Sequence, residues 1–114
     1  MRKEMETQFG SGAEAWTEYN QSPLGRIRSE VTWHNLVPHL PAIHDRQRPA
    51  RVLDAGGGSG ELALALVRRG YRVWLLDWSS AMLDEARKAA QSLPAEDQVR
   101  LHFCTIDVDQ VAQA

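Results

Sequence analysis

Residues 52–60 read VLDAGGGSG. An apolar run meets an aspartate, and four of the next positions, 56–60, are glycines. Glycine reaches positive φ and leaves no Cβ in a ligand's way. A strand that passes through glycines into a helix therefore lets backbone N–H groups close around a bound group. A plain tight turn needs fewer glycines than this. Asp77 closes a second apolar run, YRVWLLD, twenty-one positions after Gly56. In alternating α/β chains a carboxylate at that place accepts hydrogen bonds from a ribose diol. Loop and acid together point to a ribose-bearing ligand lying across the strand tips.

The glycine spacing narrows the choice. Dinucleotide sites use G-x-G-x-x-G, which brings backbone to a pyrophosphate. Gly56, Gly58 and Gly60 give G-x-G-x-G instead, and Glu61 stands where the third glycine belongs. An acid there opposes a pyrophosphate. No Lys-Ser or Lys-Thr follows the loop, so it is not a P-loop. Asp54, just before the glycines, adds a second negative charge. That favours a cationic ligand with an amine or sulfonium group.

The positioning elements follow from the pattern around these residues. RVLDA (51–55) and YRVWLLD (71–77) are short apolar runs that suit buried strands. QVRLHFCTID (98–107) is a third, with Val99, Leu101 and Phe103 on one side and Arg100, His102 and Cys104 on the other. ELALALVRRG (61–70) predicts a compact helix ended by Gly70. SSAMLDEARKAAQSL (79–93) predicts another, capped by Ser79 or Ser80. Its buried face is Met82, Leu83, Ala86, Ala89, Ala90 and Leu93. Upstream, Ile27, Val31, Trp33, Leu36, Val37 and Leu40 recur at helical spacing, and Pro38 and Pro41 end that helix. Residues 1–22 form a polar lead-in, flexible or helical, and residues 23–114 a single incomplete domain. Helix, then strand–helix–strand–helix–strand, implies parallel strands joined by right-handed crossovers, half of a doubly wound α/β sheet.

Bulk properties exclude several classes. With 114 residues, 43% of them hydrophobic, the chain can bury one core. A formal net charge of −2 gives no bulk attraction to nucleic acid or anionic lipid, although a local patch for RNA is compatible with it. The single cysteine, Cys104, cannot form an internal disulfide; a reducing cytoplasmic setting and a small buried thiol are expected. MRKEMETQFG has no apolar run of the secretory kind, and no stretch reaches the 18 or so apolar residues of a membrane span. His34, His39, His44 and His102 lack metal-ligand spacing with one another or with Cys104, so no metal site is expected.

VLDAGGGSG, LLDWSSAML and HFCTID together resemble the motifs of class I S-adenosylmethionine-dependent methyltransferases, over about residues 20–110. GRIRSEVTW in the leading helix makes the chain most similar to bacterial tRNA wobble-uridine carboxymethoxy methyltransferases. The resemblance implies a Rossmann-like α/β fold with S-adenosylmethionine as cofactor. It implies that Gly56, Gly57 and Gly58 pass under the methionine part, with Asp54 near its amine. Asp77 would hold the ribose hydroxyls and Trp78 would pack on the adenine. Ile106 and Asp107 would frame the adenine, Asp107 accepting from its exocyclic amine. Arg28, ahead of Arg26, would contact the cofactor carboxylate or close the pocket. Trp16 and Tyr19 read as amphipathic-helix packing in preference to an aromatic lid.

Acceptor-orienting residues in that family come largely from the fourth strand onward. The sequence shows three strands, so the reading is a sheet truncated after the third, with catalytic residues unassigned. The strand at 51–55 would then carry an unpaired edge open to self-association. The chain taken alone is expected to be marginally stable and catalytically weak. Its acceptor would be a tRNA or a small molecule. Two other readings stand beside this one: a non-catalytic module that binds cofactor or partner and needs a second half, and a fragment of a nicotinamide-dependent oxidoreductase.

Overall fold

The structure is a computed structural model that describes residues 2–56 and 60–106, with side chains from residue 12 onward. Two helices lead, α1 (Arg2–Gln21) and α2 (Pro23–Leu36), followed by a 3-10 turn, Val37–His39. The alternating part comprises β1 (Arg51–Ala55), α3 (Glu61–Arg68), β2 (Arg72–Asp77), α4 (Ser80–Ala90), a one-turn α5 (Ala95–Gln98) and β3 (Leu101–Thr105). The sheet order is β1-β2-β3 and both pairings are parallel. This is the α/β arrangement the alternation predicts.

Local chemistry sets the boundaries. Ser79 caps α4, its Oγ accepting from Met82 N at 3.2 Å. Gly70 takes φ +104° just past the end of α3, where a side chain would be strained. Pro38 lies in the 3-10 turn that closes α2, because proline cannot supply the helical N–H. The short α5 corrects the third strand expected from residue 98: the chain is still turning at 98–100, and β3 begins at Leu101.

The core lies between one face of the sheet and helices α3 and α4. Val73, Leu75 and Leu101 meet Leu64, Leu66, Val67, Leu83 and Ala86 there. Trp33, Leu36 and Leu40 pack against its margin. Ile27 and Val31 do not; they are 59% and 54% exposed, on the outer side of α2. Ala89 likewise faces outward on α4. Arg100 closes the base of the core: its Nη1 donates to the carbonyls of Val67 and Tyr71, at 2.6 and 3.1 Å, and its Nη2 pairs with Asp97. Those bonds tie the turn before β3 to the last turn of α3 and to the residue that leads into β2.

The opposite sheet face is less shielded. Register places Leu53, Trp74 and His102 in one row across it. Trp74 and His102 stack with ring centroids 4.9 Å apart, and Leu53 is 65% exposed. Cys104 belongs to this face and is exposed, which corrects the expectation of a small buried thiol. Parallel strands are ordinarily covered on both faces; among the described residues helices cover one. Among those residues β1 also has no partner on its outer edge.

Candidate functional site

The carboxyl ends of the three strands lie level, as the register Ala55↔Leu76 and Asp77↔Thr105 shows. In open α/β sheets that edge is where ligands sit. Gly56 leaves β1 with φ +72° while its N–H still bonds Leu76 O at 2.7 Å. Gly60 enters α3 with φ +88°, and a Cβ there would lie 2.9 Å from that of Ala86. Both positions therefore require glycine: backbone torsion demands it at Gly56, and torsion and packing together at Gly60. Gly57, Gly58 and Asp107, three of the positions expected to line the site, lie outside the described residues.

Asp77 ends β2 only 6% exposed. Its Oδ1 accepts from Ser79 N at 2.9 Å, which fixes the carboxylate at the strand tip. Trp78 follows it, half-buried. Ile106 N donates to Asp77 O at 2.8 Å, so Ile106 lies beside them, one step past β3. Asp77, Trp78 and Ile106 are thus brought together along the tips of β2 and β3.

A cleft of about 230 Å³ opens at the tip of β1, between α1 and α2 on one side and the start of α3 on the other. Arg28 and Asp54 both line it; Arg26 does not. Asp54 Oδ2 is buried without a hydrogen-bond partner among the described residues. Burial, and then the neighbouring Asp77 carboxylate, push the Asp54 carboxyl above its ordinary 3.8. A buried acceptor left open in this way favours a donor, above all a cationic one. Glu61 lines the cleft from the first turn of α3, so acids stand on one wall and the Arg28 guanidinium on the other. Asp77, Trp78 and Ile106 do not line this cleft; they lie further along the sheet edge.

Residues from the polar lead-in complete the cleft. Trp16 and Asn20 of α1 line it, and Arg28 Cζ sits 5.0 Å from the centre of the Trp16 ring. Trp16 also packs on Tyr19, centroids 5.7 Å apart. Trp16 therefore does more than pack along an amphipathic helix. Its proximity to Arg28 depends on how α1 and α2 meet, and that is a tertiary feature without a short-range signal. Glu61 was visible in sequence as the residue displacing the third glycine; its place on the cleft wall adds a role the spacing alone does not specify. Among the described residues no three His, Cys, Asp or Glu gather as a metal site, and no helix is long and apolar enough to cross a membrane.

Comparison with known proteins agrees with this geometry. Residues 52–114 match the family described as Methyltransferase domain. The chain is 35% identical over 80 residues to the tRNA 5-carboxymethoxyuridine methyltransferase of Escherichia coli (strain K12), covering 70% of this chain and 30% of that protein. It is 31% identical over 87 residues to the tRNA U34 carboxymethyltransferase of Idiomarina loihiensis, covering 75% and 26%. The chain thus spans under a third of the length of these relatives. Among solved structures, magnesium protoporphyrin IX methyltransferase from Synechocystis PCC 6803 with bound SAH superposes with a TM-score of 0.66 at 24% identity, covering 96% of this chain and 52% of that one. That likeness shows the Rossmann-like fold of class I methyltransferases. By its family match and its fold, the chain belongs to the methyltransferase-domain family.

Proposed function

We propose that residues 23–114, with α1 laid over them, form the cofactor-binding part of an S-adenosylmethionine-dependent methyltransferase whose acceptor is the carboxylate of a modified tRNA wobble uridine. The observation that carries the cofactor reading is the charge layout of the cleft. Arg28 stands on one wall, and Asp54, with an open buried oxygen, stands with Glu61 on the other. An α-amino acid is a zwitterion, and this layout complements one: guanidinium to carboxylate, carboxylates to ammonium.

The remaining site residues extend that reading along the sheet edge. Backbone at Gly56, Gly57 and Gly58 would run beneath the methionine part. Asp77, already oriented by Ser79, would accept from the ribose hydroxyls. Trp78 would cover the adenine, and Ile106 with Asp107 would frame it. When bound, S-adenosylmethionine supplies a methyl group already activated by the sulfonium charge. The chain's own work is then to bind, to orient and to keep water out. The tRNA acceptor is supported by the tRNA-modifying relatives and by GRIRSEVTW in α2. We place the protein in the cytoplasm on its single cysteine, and read the β1 edge that has no partner among the described residues as a self-association surface.

The acceptor is tested by adding the chain and S-adenosylmethionine to tRNA bearing the free-acid wobble modification, with unmodified tRNA as control. Slow release of S-adenosylhomocysteine on the modified tRNA alone supports the reading. Equal release on both places the acceptor elsewhere.

A further inference from the structure

We propose that Trp16 is a positioning residue for the cofactor carboxylate, acting by holding Arg28 in place; this rests on the cofactor reading above. Arg28 is an exposed arginine on α2, and a free arginine side chain spreads over many rotamers. Here its guanidinium lies over the Trp16 ring, 5.0 Å from the centroid, at the wall of the cleft that faces Asp54. A guanidinium held over an indole face by its charge still has N–H groups to offer a planar, bidentate partner. The ring thus restrains where the arginine's head group lies.

The juxtaposition is built into the backbone. Ser22 caps α2 and accepts from Gly25 N at 3.2 Å, and Ser22 N donates back to Tyr19 O at 3.0 Å. Gly25 is buried against the end of α1; a Cβ there would lie 2.7 Å from Asn20 Cα and closer still to Tyr19 O. Trp16 lies one turn before Tyr19, and Arg28 one turn after Gly25. The tight corner therefore delivers the indole to the arginine.

The test uses the whole chain and two ligands, S-adenosylhomocysteine and S-adenosyl-3-thiopropylamine, the same molecule without its carboxylate. Their affinities are measured by calorimetry for wild type, Trp16→Ala, Trp16→Phe and Arg28→Ala. Trp16→Ala should weaken S-adenosylhomocysteine about fivefold, the order expected for an exposed cation–π contact, and leave the amine ligand unchanged. Trp16→Phe should restore most of the loss. Arg28→Ala should show the same discrimination more strongly, and adding Trp16→Ala to it should cost nothing further. Equal weakening of both ligands by Trp16→Ala and Trp16→Phe would make the residue merely structural and overturn the proposal. So would an unchanged affinity for S-adenosylhomocysteine. Failure of the wild-type chain to bind either ligand would instead contradict the cofactor reading itself.

Discussion

Gly25→Ala offers a sharp test of how α1 and α2 meet, because helix propensity and packing pull in opposite directions. Gly25 sits in the first turns of α2, where alanine is better than glycine by about 1 kcal/mol. Propensity alone therefore predicts a more stable protein. The space around Gly25 says otherwise. A Cβ would stand 2.7 Å from Asn20 Cα and 2.8 Å from Tyr19 C, and nearer still to the Tyr19 carbonyl oxygen. These are backbone atoms, which cannot rotate aside as a side chain can. Overpacking of this kind costs about 1–3 kcal/mol, and a rigid neighbour belongs at the upper end. The net expectation is a loss of about 2 kcal/mol, or roughly 8 °C in Tm for a domain of this size. Gly12→Ala in α1 is the matched control. Nothing lies within 4 Å of its added Cβ, so propensity acts alone and Tm should rise by a few degrees. Thermal unfolding followed by circular dichroism measures both. If Gly25→Ala melts at or above wild type, the corner is not packed as described, and the Trp16–Arg28 contact loses its support.

Three further expectations follow from the site and the sheet. Asp54 has its carboxyl raised by burial and by Asp77, so the unfolded chain releases this proton more readily than the folded one. Stability then falls as pH climbs from the ordinary 3.8 through the raised value, and the penalty is complete at neutral pH. Asp54→Asn should therefore raise Tm at pH 7, lose that advantage below about pH 4, and weaken cofactor binding; a lower Tm at pH 7 would contradict the desolvation account. Asp77→Ala should weaken S-adenosylhomocysteine by about 10- to 100-fold, the scale of losing hydrogen bonds to a charged partner, and an unchanged Kd from titration would remove it from the ribose site. Leu53→Lys puts a charge on an exposed leucine of the edge strand; sedimentation velocity should show less self-association than wild type, and an equal or larger assembled fraction would acquit that surface.

Much of the fold was legible in local sequence because its signals are local. Gly70 and Ser79 stop and start helices by torsion and capping, and both do so in the structure. The apolar runs at 51–55 and 71–77 became adjacent parallel strands because a helix-length crossover separates them. Periodicity shows that a segment has an apolar side; it does not say what covers that side. Ile27 and Val31 share the spacing of Trp33 and Leu36 yet face outward, because the core lies under the last turn of α2 only. Cys104 alternates correctly along β3 but lands on the less shielded face. Asp54 and Arg28 were nameable from their motifs, and the structure brings both to one cleft. The contact of Trp16 with Arg28 was not, because it depends on the corner at Gly25 and on no spacing within either helix.

The central claim is that the glycine turn and its cleft hold a methyl-donor cofactor. Calorimetric titration of the purified chain with S-adenosylhomocysteine, run beside NAD, tests it most directly. The account predicts saturable one-to-one heat with S-adenosylhomocysteine and none with NAD. Binding of NAD in its place, or of neither by a chain that unfolds cooperatively, would contradict it.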